Sequence, residues 1–521
     1  MSFRSLYQDR LLGIVSGLDR IRFLGTERML SNRGGFKLVL NQLGVLWKDF
    51  GNWANETTKR LRTQCENRAH ALGIPVEFVR SSRVDKEALA RKLAAEKGVA
   101  EDGSICLLSA MEMCMAPKVA GNRATKRLEL QIVPRKCIFL YSYFDHPRVG
   151  FGHVRLQTWA PYSVKICLNG RHWLEKQLQA HGVGYYKTGN GFPWIADVEK
   201  AQELLDEQLT TNWPELLTGL AVNMCPNLGS LCAPFESRYY WSADETEFAT
   251  DLMFRSKADL DALFPKLLAH GMRTSDSHAV LRYLGHRSES TSLGKAPADV
   301  YTDCRRRHEG LRIKHWVNGN SIKMYNKEGR LLRVETTINK PRQFKAFRQA
   351  NDDPTKPCMW QKMRKGVNDL HRRCEVSRQA NERYLDTITA VNVHDTLHEV
   401  TGAACNRLSK KGRSFRPLNP WNEHDFNLLT FLAKGEWALE GFRNKTLRTW
   451  LEPNEQDLSP RERKKLSARA TRLIALLRAH GLIRKAPKEN RYSLTKKGRT
   501  FTHSLLTASA LEVQRLAEIA A

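Results

Sequence analysis

The chain has 521 residues, with 84 Lys and Arg against 55 Asp and Glu, a formal net charge of +29. That length leaves room for about three domains of ~150 residues and excludes a mini-protein that needs disulfide or metal staples. A hydrophobic fraction of 41% and an aromatic fraction of 9% exclude wholesale disorder, and the excess of cations points to a polyanionic partner, nucleic acid first.

The N-terminal stretch has scattered charges and no apolar signal region. No run approaches the ~18 apolar residues of a membrane span. The expectation is therefore a cytoplasmic protein with no membrane partner. The 11 cysteines form no C-x-x-C pair and read as reduced thiols rather than as a zinc ribbon or disulfide framework.

In chain order the pattern is α+β, divided into four segments. Residues 1–130 are a mixed α/β region. Residues 14–23 are predicted as a strand, 84–97 as a helix ended by Gly98, and 104–110 as a buried strand. Residues 131–345 form a central α+β sheet domain. Residues 137–144 are aromatic and β-prone, 151–159 alternate, and 163–168 make a third strand before a helix over 171–181. A helix is predicted over 201–220 and a strand over 247–254, and Ser256-x-x-Asp259 opens a further helix with a capping pattern. A second meander follows at 311–317, 321–327 and 330–338, turned by Asn318-Gly319 and Glu328-Gly329. Its alternation places Arg312 and Lys314, then Lys323, Tyr325 and Lys327, then Arg333, Glu335 and Thr337 on one basic face.

Residues 346–415 read as a basic helical region, with a helix over 361–383 that carries Arg364, Lys365, Arg372, Arg373 and Arg378. Residues 416–521 read as helix, helix, long helix, hairpin, helix. Ser459-Pro460-Arg461-Glu462 opens the long helix with a capping box and a proline at its first position. Gly481 ends that helix, and Thr495 caps the next.

The stretch RLIALLRAHGLIRKAPKENRYSLTKKGR resembles the third helix, wing and closing helix of winged helix-turn-helix domains. The resemblance implies that duplex DNA is held by Arg463, Lys464, Lys465 and Arg469 on the helix and by Lys485, Lys488 and Arg491 on the wing. Residues 401–521 hold 24 Lys and Arg against 11 Asp and Glu, so +13 of the +29 sits there. The blocks GHVRLQTWAPYSVKICLNGRHWL and LRIKHWVNGNSIKMYNKEGRLLRVETTIN are similar to blocks in a set of bacterial proteins. The second also resembles replication initiators of small phages and plasmids, in which a Tyr-Asp-Lys strand precedes an Arg-x-Glu strand. Here those positions are Tyr325, Asn326 and Lys327, then Arg333 and Glu335. The His-hydrophobic-His metal pair of rolling-circle initiators is missing from the sequence.

No Walker A loop, G-x-G-x-x-G, H-E-x-x-H or G-x-S-x-G occurs. Strand cleavage or transfer with Mg²⁺ needs convergent carboxylates, since the ion must neutralise the attacking and leaving oxygens. The candidates are Asp19, Glu112, Asp145 and Glu335, the first three as metal ligands. Asp145 also reads as a turn residue, Glu335 also as an ion-pair partner of Arg312 or Lys323, and Asp251 as part of a solvated face. Tyr325, between Lys323 and Lys327, is a candidate nucleophile or a stacking residue. The basic sheet face, with Tyr325, Trp159, Trp316, His153 and Arg155, is a candidate surface for single-stranded DNA or RNA, and the 361–383 helix, with Arg372 and Arg373, is a candidate RNA-binding element. These features lead to the expectation of a mobile-element protein acting in replication initiation or transposition. The alternatives are a winged-helix transcriptional regulator or an RNA-binding or RNA-guided factor.

Overall fold

The computed structural model describes residues 3–510 except 82, 125, 233–237, 276, 286–299, 308–309, 351–352, 354, 390–395, 411, 435, 438–440 and 488. Its largest element is an 11-stranded sheet that draws strands from nearly the first two thirds of the chain. The strands are β1 (Leu11–Glu27), β2 (Val76–Val79), β3 (Ser104–Asn122), β4 (Arg127–His146), β5 (Gly150–Gln157) and β6 (Val164–Asn169) from the first part. A small hairpin, β7 (Tyr185–Thr188) and β8 (Gly191–Ile195), lies outside the sheet. The sheet continues with β9 (Tyr239–Phe254), β10 (Tyr301–Arg307), β11 (Gly310–Val317), β12 (Asn320–Lys327) and β13 (Leu331–Ile338). The order across it is β10-β11-β12-β13-β9-β1-β6-β5-β4-β3-β2. All pairs are antiparallel except β2 with β3.

That order has an internal duplication that no repeat in the sequence announces. In each half a long strand, β1 or β9, is followed by helices and then by a four-stranded meander. The meander folds back so that its last strand, β6 or β13, pairs with the opening strand. A helix then follows: Gly170–Ala180 in the first half and, after a small hairpin, Leu370–Ile388 in the second. The two opening strands pair with each other at the centre. The expected boundary at 130/131 is thus overturned, because β1 lies in the middle of the sheet that 131–345 was expected to form alone. Residues 361–383 also differ from expectation. Cys358–Lys362 is a strand, β15, paired with β14 (Lys345–Gln349), and the helix begins only at Leu370. The predicted 201–220 helix is two helices, Val198–Leu209 and Trp213–Met224.

Apolar side chains form three clusters. One gathers the first half of the sheet under helices such as Phe50–Ala71, and a second joins β9 and β11 to β13 with Leu370–Ile388. The third is centred on the C-terminal unit, around Leu428, Ile474, Leu477, Leu482 and Phe501, and takes in Ala404 and Leu418 from the segment before it. That unit runs Glu423–Ala433, strand Phe442–Arg443, helix Asn444–Leu451, helix Pro460–Ala479, strands Ile483–Lys485 and Arg491–Leu494, then helix Lys496–Ser509. The three short strands make one sheet. The Ser459–Glu462 capping box is formed on both sides, and Thr495 Oγ1 accepts from the Gly498 amide. Among the described residues no helix is long and apolar enough to cross a membrane.

Gly170, the first residue of the helix after β6, packs closely against the central strand. A Cβ there would sit 1.9 Å from the Leu18 carbonyl oxygen on β1. Gly170→Ala therefore has to push the helix off the central strand. It is expected to lower the thermal midpoint by the equivalent of about 1–3 kcal/mol of overpacking strain, measurable by calorimetry against wild type.

Candidate metal and strand-cleavage site

The site begins with a bulge. Leu18 faces Phe248 and Ile21 faces Thr246, so Asp19 and Arg20 of β1 together oppose the single residue Glu247 of β9. A bulge of this kind turns side chains that would alternate toward the same region. β13 lies on the other side of β9, with Glu335 opposite Ala249 and Arg333 opposite Asp251. β12 then sets Lys323 beside Glu335 and Tyr325 beside Arg333.

Carboxylate oxygens of Asp19, Glu247 and Glu335 lie within 4.8 Å of one another, and all three residues are buried. Four cations surround them. Arg333 Nε and Nη2 donate to both oxygens of Asp251 at 2.5 and 2.8 Å, and its Nη1 donates to Asp19 at 3.0 Å. Arg171, from the N-terminus of Gly170–Ala180, reaches Asp251 at 2.8 Å. Lys323 Nζ is 2.5 Å from Glu335 and 3.8 Å from Glu247, and Arg20 is 3.0 Å from Glu247. The turn between β7 and β8 closes one end, with the Asn190 amide donating to Asp19 at 2.6 Å and its carbonyl accepting from Arg333 at 2.6 Å. The other end opens to solvent, where the Arg20 side chain is 48% exposed.

Burial raises the Asp19 carboxyl, but Arg333, Arg171 and the Asn190 amide together hold it below the ordinary range. Glu247 goes the other way. Burial, with Glu335 beside it, pushes Glu247 up to about 8 against the pull of Lys323 and Arg20. Burial also lifts the Tyr325 hydroxyl well above 10, with Glu335 and Asp19 adding to the rise against Arg333. That hydroxyl donates to Glu335 at 3.3 Å.

Asp19, Glu335 and Tyr325 of the expected catalytic set are therefore brought together. Glu112 and Asp145 are not, which corrects the expected Asp19, Glu112 and Asp145 ligand set. Glu112 is on β3, four strands from β1, or ~19 Å at the ~4.8 Å spacing of strands. There it binds Arg155 at 2.7 Å, Lys86 at 3.2 Å and the Tyr141 hydroxyl at 2.6 Å. Asp145, near the end of β4, pairs with Lys176 at 2.9 Å. Asp251, expected on a solvated face, is fully buried between two arginines. Glu247 escaped sequence reasoning because only the bulge, a long-range feature, directs it to the acids on other strands.

Several expected nucleic-acid contacts are structural. Arg333 and Lys327 are buried. Arg373, also buried, donates to the Ala243 carbonyl at 2.8 Å and the Thr246 hydroxyl at 2.9 Å. Arg155 is spent on Glu112, Arg312 on Asp303 at 3.0 Å, and Arg372 on Asp369 at 2.9 Å. Trp159 lies buried beneath Arg135, and burial lowers His153 to about 4, leaving it neutral. Lys314 lies 4.0 Å over the ring of the exposed Trp316, which faces the exposed Tyr301 of β10 across the strands. In the C-terminal unit Lys464, Lys465, Arg469 and Lys485 are exposed. Arg463 is exposed too but donates to the Leu458 and Gln456 carbonyls, and Arg491 pairs with Glu489 at 2.9 Å. Lys488 lies outside the described residues.

The chain matches no protein-family model, no curated protein and no solved structure.

The raised Glu247 favours the protonated carboxyl in the fold. Its contribution to stability is present at low pH and is lost as pH rises from the unfolded value toward about 8. Glu247→Gln is therefore expected to raise the thermal midpoint at pH 8.5, by about 2–4 °C for each kcal/mol recovered, and to change it little at pH 4. Equal shifts at both pH values in thermal denaturation would contradict the assignment.

Proposed function

We propose that this protein is a DNA strand-cleaving or strand-transferring enzyme of a mobile genetic element, acting in replication initiation or transposition. The observation that carries the reading is the convergence of Asp19, Glu247 and Glu335, from three adjacent strands, at one partly open end of an otherwise buried cluster.

The donor set is all carboxylate oxygen, which suits a hard divalent cation such as Mg²⁺. Asp19, Glu247 and Glu335 would hold the ion, which when bound stabilises charge on the oxygens of a phosphodiester. Lys323 and Arg20, at the more open end, are placed to take the scissile phosphate. As they turn to it, they free Glu335 and Glu247 for the metal. Arg333 and Arg171 stay with Asp251 and hold the strands in place. Tyr325, with its hydroxyl bonded to Glu335 and its pKa raised, orients that ligand, and the attacking oxygen comes from water or another donor. The exposed Tyr301 and Trp316 offer stacking, and the half-buried Lys314 offers charge, for bases beside the site. The C-terminal unit is read as a winged helix whose exposed Lys464, Lys465, Arg469 and Lys485 meet duplex phosphates.

One observation favours a second reading. Five cations (Arg20, Arg22, Arg171, Lys323, Arg333) match five carboxylates (Asp19, Asp251, Glu245, Glu247, Glu335), which is the composition of a self-sufficient structural lattice in a non-enzymatic DNA-binding regulator.

Nicking of supercoiled plasmid and cleavage of labelled single strands, with and without Mg²⁺ or Mn²⁺, separate the two. The enzyme reading expects metal-dependent cleavage that falls at least ~100-fold in Glu335→Gln and Asp19→Asn, as for loss of an electrostatic element worth ~3 kcal/mol. It also expects Tyr325→Phe to cleave within about tenfold of wild type, that is within ~1.4 kcal/mol, with no protein–DNA adduct. An adduct lost in Tyr325→Phe would make the tyrosine the nucleophile. Duplex binding with no cleavage and no calorimetric Mn²⁺ binding would support the regulator.

A further inference from the structure

The hairpin of β14 and β15 presents a face that the proposed site does not use. Phe347 pairs with Trp360 and Lys345 with Lys362 across the two strands, so these four side chains share one face. Phe347 is 59% and Trp360 63% exposed, and both lysines are exposed. The two rings form a tilted pair with centroids 5.6 Å apart. The described residues of β14 and β15 include no carboxylate, and neither lysine has an ion pair within 4 Å among the described residues.

The other face is fastened down through Ala346 and Arg348, while Met359 on it stays exposed. Ala346 is buried with Phe344 and Met363 in the second apolar cluster. Arg348 is buried, and its Nε is 3.6 Å from Asp369. The Met363 amide donates to the Phe344 carbonyl at the base of the hairpin. The aromatic pair is therefore held out on a rigid mount.

Two large rings left in water on a two-stranded ribbon lose the burial that normally stabilises such residues, and exposed clusters of this kind mark binding surfaces. The charge beside the rings decides which partner they fit. Here the rim is cationic, and the chain as a whole carries +29. Bases stack on aromatic faces while lysines meet the flanking phosphates, and only unpaired bases have free faces to offer. We propose that the face formed by Lys345, Phe347, Trp360 and Lys362 is a stacking platform for single-stranded nucleic acid, separate from both the carboxylate site and the C-terminal unit. The proposal rests on the reading of the protein as nucleic-acid-binding, and it does not depend on cleavage.

The test uses the full chain and a fluorescein-labelled mixed-sequence 20-nucleotide DNA, with the matching duplex as control, titrated by anisotropy over a range of salt. Phe347→Ala/Trp360→Ala is expected to weaken single-strand binding at least tenfold and to leave duplex binding within twofold. Lys345→Ala/Lys362→Ala is expected to flatten the slope of log affinity against log salt by about 1.4, at ~0.7 for each phosphate on a single strand. Because all four side chains are exposed, circular dichroism and the thermal midpoint should stay at wild-type values. Ultraviolet crosslinking of a bromodeoxyuridine oligonucleotide should label the peptide that contains Trp360. If wild type binds single strands and both double variants bind them equally well, or the crosslink maps elsewhere, the platform is wrong while the nucleic-acid reading stands. If wild type binds neither single strand nor duplex, the underlying reading falls and the platform falls with it.

Discussion

Arg333 is the interaction on which the centre of this molecule depends. A guanidinium with no exposed surface costs several kcal/mol to desolvate, and only well-aimed acceptors repay that cost. Asp251 takes it with two oxygens, Asp19 takes a third N–H, and the Asn190 carbonyl takes a fourth. These partners belong to β9, β1 and the turn between β7 and β8, while Arg333 itself belongs to β13. One side chain thereby joins the two meanders and seats the turn that closes the site. Arg171 doubles the lock from the helix above, sharing Asp251. Removing Arg333 would strip buried Asp19 of its ion-pair partner, the expensive half of a broken pair, while Asp251 would keep Arg171.

The same cluster explains why its two ends behave differently. Around Asp251 every charge is enclosed, and the pairs are fixed in number and direction. Around Glu247 and Glu335 the partners are Lys323 and Arg20, a flexible ammonium and a half-exposed guanidinium. A lysine is a point charge on a long stem and gives up one anion for another more readily than a bidentate arginine does. The rigid end serves as scaffold and the yielding end as the place for chemistry. Glu247 joins the two, buried enough to keep its proton near neutrality and close enough to solvent to lose it.

Much of this was legible in the chain itself. The Asn318-Gly319 and Glu328-Gly329 turns and the alternation between them led directly to β11, β12 and β13, with Lys323 facing Glu335 and Tyr325 facing Arg333. Ser459 and Thr495 marked helix starts because their caps are local chemistry. Other features depended on partners distant in sequence. The alternation of β12 and β13 showed which residues share a face, but not that the face would be covered, so Arg333 and Lys327 read as surface cations. Arg373 misled for the same reason, since a helix in isolation does not reveal which arginine will find backbone carbonyls. The Asp19-Arg20 bulge exists only in the register with β9, more than 200 residues away. Without that register, Glu247 had no reason to be singled out and Glu112 had none to be dropped.

The duplication gives the site an order in time. Asp19 comes from the opening strand of the first half, and Glu247 and Glu335 from the first and last strands of the second. The seam between β1 and β9 must therefore close before the three acids meet. Pairings of such sequence separation form late, after the local meanders have settled. A chain still emerging from the ribosome already has its first meander, yet holds only one of the three carboxylates. On the proposed reading, a half-made molecule cannot cut DNA, so premature damage is prevented by topology rather than by an inhibitor.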